Sequence, residues 1–175
     1  MSEQRSVRLD LSEALQFTEE DIAANREGSL SPAQQARFRR GFRRTLIAGI
    51  IGIIVIGLGA TTLIFLGQQN NSMVLVVLGI ALTVLNAFIV GFLVRSRLRL
   101  QSDLTHPVKM QDGIVSRTLR ISGRSPTYIL KFEGDEIIVN KVTFNAFIDG
   151  AVYKLYRTAA SETLITAELV GMRDE

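Results

Sequence analysis

Two stretches of this chain are apolar without interruption. Leu46 to Leu66 and Val74 to Val94 contain no charged residue, and at about 1.5 Å per residue each would make roughly 31 Å of helix, enough to cross a bilayer core. The GQQNNSM segment between them is uncharged and rich in turn formers, which predicts a tight antiparallel helical hairpin. Ahead of the first run the pattern is that of short capped helices. In Phe17-Thr18-Glu19-Glu20-Asp21-Ile22, Thr18 reads as an N-cap, Asp21 as its capping-box partner and Phe17 with Ile22 as a hydrophobic staple, with the helix ending at Gly28. Ser31, Pro32 and Gln34 repeat the same grammar, and only Gly41 interrupts the pattern between Pro32 and the first apolar run.

Beyond the second run the pattern changes to short strands separated by turns. Strands are expected at Val108 to Ile121, bent at Gly113; at Tyr128 to Phe132; at Glu136 to Val139; at Val152 to Thr158; and at Thr163 to Leu169. Gly123 to Pro126, Gly134-Asp135 and Ala159 to Glu162 are the expected turns, and Thr143 to Ile148 a helical turn stopped by Asp149-Gly150. Five strands with a helical turn between the third and fourth predict a small closed barrel of OB or SH3-like type. Its expected core draws on Val115, Leu119, Tyr128, Leu130, Phe132, Ile138, Phe144, Phe147, Leu155 and Ile165. Tyr153 and Tyr156 fall on opposite strand faces, so one of them is expected at the surface.

The fold class expected is therefore an α+β membrane protein: a transmembrane hairpin followed by a small five-stranded β barrel, with short N-terminal helices. The expected division is a helical N-terminal segment over 1–45, membrane helices over 46–66 and 74–94, and an extracytoplasmic loop over 67–73. A basic linker over 95–107, the β domain over 108–170 and a tail over 171–175 complete it.

Charge sharpens this picture. Residues 1–36 carry three Arg against seven Asp or Glu, and from Pro107 onward nine Lys or Arg balance nine Asp or Glu. The excess of positive charge sits beside the apolar runs, in Arg37, Arg39, Arg40, Arg43 and Arg44 and again in Arg95, Arg97 and Arg99. Arginine thus flanks the outer end of both runs, and none lies in the loop. By the positive-inside rule the protein is expected to be a multi-pass protein of the cell (inner) membrane with both termini cytoplasmic. The same arginines, with Phe38 and Phe42 among them, are candidate contacts for anionic lipid headgroups, each contributing on the order of 1 kcal/mol. A role in RNA binding is set aside, because the charge follows topology and the β region is neutral.

Small residues mark candidate helix contacts. Gly49, Gly52 and Gly59, with Ala48 and Ala60, share one face of the first run; Gly79, Thr83, Ala87 and Gly91 recur every fourth residue on the second, with Asn86 beside them near mid-membrane. The stripes are expected to pack within the hairpin; the alternatives are that one packs the hairpin and the other a second protomer or partner subunit, or that they line a pathway. The hexapeptide NAFIVG at 86–91 is nearly repeated as NAFIDG at 145–150, but the flanks differ, and the second copy is expected to close a water-facing turn with Phe147 tucked inward.

Chemistry is sparse. With no Cys there are no disulfides, thiolates or Cys-based metal sites. The single histidine, His106, precedes Pro107 in the linker and lacks partners for a metal site. Asp135 and Glu136 are adjacent and so point to opposite faces of a strand, which rules them out as an acid and base pair. Phosphate loops and nucleophile elbows are absent. No catalytic, metal or cofactor site is expected.

The stretch "DGIVSRTLRI...YILKFEGDEIIVNKVTFNAFIDGAVYKLYRTAASETLITAEL" resembles the C-terminal domain of a group of uncharacterised bacterial membrane proteins with two transmembrane helices and a small β domain, and "FTEEDIAANREGSLSPAQ" resembles their leader segments. The resemblance implies the same architecture and brings no catalytic residues. The function expected is a non-enzymatic anchor, scaffold or assembly module for a membrane-associated complex, its partners being anionic lipid and either a protein or a second copy of the chain, met through the membrane helices or the β domain. The alternative is an accessory or oligomeric subunit of a transport or channel system.

Overall fold

The structure, a computed structural model, describes residues 2–122 and 125–172; Gly123 and Arg124 of one expected loop and most of the expected tail lie outside them. In chain order the elements are α1 (Ser2–Leu15), α2 (Glu19–Arg26), α3 (Pro32–Gln69), α4 (Met73–Thr105), β1 (Lys109–Ser122), β2 (Ser125–Phe132), β3 (Asp135–Val139), α5 (Lys141–Ala146), β4 (Val152–Arg157) and β5 (Leu164–Gly171). They form two compact units. Met1–Gln34 and Asp103–Glu175 make one, and Gln35–Ser102 the other.

The helix starts follow local hydrogen-bonding rules. Asp21 N donates to Thr18 Oγ1 at 3.3 Å and Thr18 N to Asp21 Oδ2 at 2.9 Å, a reciprocal capping box that satisfies two otherwise orphaned donors of α2. Phe17 and Ile22, the staple, are both buried. A second box opens α3, with Gln34 N on Ser31 Oγ at 3.0 Å and Ser31 N on Gln34 Oε1 at 3.1 Å. The Ser31 hydroxyl also donates to Asp21, which is fully buried, so the two boxes are wired together. From Pro32 the helix passes Gly41 without a break, because a lone glycine costs helix only about 1 kcal/mol.

α3 and α4 are 38 and 33 residues long, about 57 and 50 Å. Among the described residues they are the two helices long and apolar enough to cross a membrane. Only 6% of the most apolar stretch of each is buried, which separates them from core helices of a water-soluble domain. α4 continues through the arginines to Thr105, so residues 95–105 are helical.

The five strands form one antiparallel sheet in the order β3-β2-β1-β4-β5. It is not closed into a barrel, and the expected OB or SH3-like closure is corrected by the pairing. Each strand is antiparallel to its neighbours, so the two edges, β3 and β5, run parallel to one another and closure would need a parallel ladder between them. Helix α1 packs against β5 and α5 instead, sending Val7 and Leu11 into the core with Phe132, Phe147 and Leu155. β1 changes partners at the expected bend. Lys109 to Ile114 pair with β4, and Val115 onward with β2. A Cβ on Gly113 would lie 2.9 Å from Glu133 Cγ and 3.0 Å from Phe132, so the bend admits no side chain.

The turn between β2 and β3 is Glu133-Gly134, one residue earlier than expected, with φ of +48° and +94°, as a two-residue type I′ hairpin requires. Its register places Leu130 opposite Ile137, which moves Ile138 to the outer face, 74% exposed, and out of the core expected for it. Leu119, also expected inside, is 49% exposed: it pairs with Tyr128 beyond the reach of the core cluster. Val115, Leu130, Phe132, Phe147 and Leu155 form the core as expected; Tyr128 and Phe144 are half-buried and pack ring to ring at 5.2 Å. Ile165 is buried outside the main cluster, beside a register shift in the β4–β5 ladder. The Asp149-Gly150 turn docks on β1. Arg117 N donates to Asp149 Oδ1 at 2.6 Å, Gly150 N to Val115 O at 2.9 Å, and the Tyr153 hydroxyl accepts from Ile148 N at 2.8 Å.

Candidate functional site

The contact between α3 and α4 contains a regular line. Among the less exposed positions, Leu46, Gly49, Ile53, Ile56, Ala60 and Leu63 on one helix and Gly79, Leu82, Asn86, Ile89 and Leu93 on the other alternate three and four residues apart, with Gly57 and Ile64 beside them against the partner helix. That is the seam of an antiparallel coiled coil. A Cβ on Gly79 would fall 2.5 Å from Ile64 Cγ1 and 2.9 Å from the Ala60 carbonyl oxygen, and one on Gly49 2.6 Å from Leu93 Cδ1. Both glycines are small because the partner helix is there. Asn86 turns into the same seam and donates to the Ile53 carbonyl at 3.2 Å.

The other small residues are placed differently. Gly52 and Gly59 are half-buried, yet a Cβ on either would meet nothing within 4 Å. Thr83, Ala87 and Gly91 are exposed. The reason is periodicity: steps of four residues advance 400°, so the line from Gly79 to Gly91 drifts about 120° round the helix and leaves a seam that repeats every 3.5 residues. Ala87 and Gly91 instead floor a shallow groove with Val84, Phe88, Phe92 and Arg95 on the outside of α4. Arg37, Arg39, Arg40, Arg43, Arg44, Arg95, Arg97 and Arg99 are all exposed, a disposition open to headgroups.

In the other unit, α2 covers the outer face of β4 and β5. Asn25, 1% exposed, donates to Thr166 Oγ1 at 2.6 Å. Arg26 grips Glu168 in a two-pronged ion pair, its Nε at 3.1 Å from Oε1, while the Tyr156 hydroxyl donates to the same oxygen at 2.7 Å. Burial, helped by that hydrogen bond to Glu168, pushes the Tyr156 hydroxyl up to about 12. Burial alone would raise the Glu168 carboxyl; the hydrogen bonds from Arg26 and Tyr156 outweigh it and hold the group below its ordinary value. The guanidinium of Arg26 is raised in turn, first by its hydrogen bond to Glu168. Both Tyr153 and Tyr156 are fully buried, so the expectation that one is exposed is corrected: they do face opposite ways, but α2 covers the second face.

A groove of about 600 Å³ opens between the sheet edges, where Ala14 and Leu15 at the end of α1, the length of β3 and the β4–β5 turn meet. Arg157 lines it and is 6% exposed. One guanidinium nitrogen donates to Gln111 and to Asp135 Oδ2, the latter at 2.8 Å, and Nε is buried with no hydrogen-bond partner. The neighbouring turn is held by Asp103 near the end of α4, which accepts from Ala160 N at 2.7 Å and Ser161 N at 2.9 Å. His106 and Asp112, by contrast, lie at exposed positions.

Reading the residues in order missed α1, Asp103 and Arg157. For α1 the signal was present: Val7, Leu11 and then Ala14 and Leu15 recur at helical spacing. For Arg157 there was none, since an arginine closing a strand reads as a surface charge.

These features define a class: two helices fit to cross a membrane, followed by a sheet to which the N-terminal helices return. No protein-family model, no curated protein and no solved structure matches the chain.

Proposed function

We propose that this is a non-enzymatic two-pass protein of the cell membrane, in which the hairpin anchors a cytoplasmic domain that docks partners or helps assemble a membrane-associated complex. One observation carries the reading: residues before the first span and after the second build a single compact unit. A hairpin whose two outer ends enter one folded unit must have both ends on the same side of the membrane. The arginines at those ends, against a loop with no charge, favour the cytoplasmic side and contact with anionic headgroups. The transport alternative draws less support, because the Asn86 amide is used within the hairpin and neither apolar run contains an ionisable residue.

Affinity purification of the full chain in mild detergent, read by mass spectrometry, is expected to retain a stoichiometric protein partner or a second copy of the chain. A strictly monomeric protein with nothing copurifying sinks the proposal. The topology has its own test, since the chain is free of Cys. In intact cells an impermeant thiol reagent should label Asn71→Cys in the short loop and spare Ser161→Cys in the β4–β5 turn; labelling of the second alone would invert the orientation.

A further inference from the structure

The groove beside β3 offers main chain as well as side chains. In the hairpin closed by Glu133 and Gly134, Phe132 and Asp135 form the first bonded pair, and bonding pairs recur at Leu130 with Ile137 and Tyr128 with Val139. Glu136 and Ile138 therefore turn their N–H and C=O groups away from β2, and β3 pairs with no other described strand. The groove runs along Glu136 to Asn140, about 17 Å of strand edge at 3.3 Å per residue. That is the length of a docked strand rather than of a small anion. Because β3 and β5 run parallel, a segment antiparallel to β3 is antiparallel to β5 as well.

Charge sets the second condition. Glu136 on the groove wall is paired with Arg120 and Lys131, and Glu162 with Lys109. Arg157 differs: it is a buried cation whose Nε lacks a partner, and the one carboxylate it meets, Asp135, is 59% exposed. A buried guanidinium is best satisfied by a carboxylate that engages it with two parallel bonds. We propose that the groove captures an extended, acidic segment of a partner protein, which adds as a strand to the free β3 edge and directs a carboxylate to Arg157. This rests on the docking function proposed above and names the chemistry of what is docked.

The test uses the full chain in lipid nanodiscs and a phage-displayed library of random heptapeptides. The enriched sequences are expected to carry a fixed acidic position within an alternating pattern. Their synthetic forms should bind at least about tenfold more weakly to Ile138→Pro and to Arg157→Gln, a loss typical of a charged hydrogen bond or a blocked edge. Ile138 is exposed and its N–H is outside the ladder, so proline there leaves the β2 bonds in place. Because Arg157 is buried, the same loss must also appear when the acidic residue of the peptide is changed to its amide, which leaves the protein untouched. Peptides indifferent to Ile138→Pro but sensitive at Arg157 would mean a simple anion site and overturn the strand. Binding unaffected by both variants, or no enrichment, overturns the groove. If a copurifying partner nevertheless survives in Ile138→Pro, the docking function stands without this site; if there is none, both fall.

Discussion

Leu11→Asp is expected to unfold the unit that α1 and α2 build with the strands, while Leu9→Asp, on the opposite face of the same helix, leaves it folded. Leu11 is 1% exposed among Phe132, Phe147 and Leu155, and Leu9 is 64% exposed. Losing the leucine forfeits about 1.5–3 kcal/mol of burial, and a carboxylate left there without a partner adds several kcal/mol more. Together these approach the roughly 5–15 kcal/mol that holds a typical domain folded. The readout is limited proteolysis and thermal unfolding of the β strands in the full-length protein. Strands that keep wild-type protease resistance in Leu11→Asp would show that α1 is an appendage to the sheet rather than part of its core.

The second large effect belongs to the hairpin. Gly79→Ile should separate α3 from α4, because the first added carbon already sits 2.5 Å from Ile64 and 2.9 Å from a main-chain oxygen that cannot yield as a side-chain tip would. Overpacking of this kind costs about 1–3 kcal/mol or more. A Cβ on Gly91 meets nothing within 4 Å, and Gly91→Ile should stay within about 0.5 kcal/mol. A Gly49→Cys, Leu93→Cys pair reports on the seam by oxidative cross-linking along a titration with SDS. Its midpoint is expected to fall sharply in Gly79→Ile and to hold in Gly91→Ile. Equal midpoints would refute the seam, and a larger effect at Gly91 would restore the every-fourth-residue stripe as the contact surface.

These two variants touch the places where reading along the chain and the folded molecule part company. Both capping boxes, the two long apolar helices, the bend at Gly113 and the Asp149-Gly150 turn depend on residues near one another in the chain, and all were legible. Ile137 and Ile138 are both apolar and adjacent, so alternation alone cannot choose which faces inward; the I′ turn at Glu133-Gly134 chooses, by setting the register. Small residues on the second apolar run could be seen but not assigned, because a four-residue and a 3.5-residue line through Gly79 diverge on any helix and only the partner helix decides which of them is the contact.

Burial was least legible where it depends on elements distant in the chain. By alternation Tyr156 and Glu168 lie on the face of β4 and β5 opposite Tyr153 and Leu155. What covers them is α2, more than a hundred residues earlier, through Asn25 and Arg26. Arg157 likewise becomes a buried cation only because the end of β4 lies against the start of β3.

Residues near one another in the chain already specify two uninterrupted apolar runs, the arginines beside them, helix starts written in local hydrogen bonds, and five strands with their turns. Tertiary contacts settle the rest: α1 and α2 join the strands in one core, the sheet stays open with α1 against β5 and α5, and Arg157 lines a groove along the unpaired edge of β3. The physical reason is range. Caps, turns and hydropathy are settled over a few residues, whereas closure, burial and the pairing of edges are settled by contacts between segments that the chain separates by a long helical hairpin.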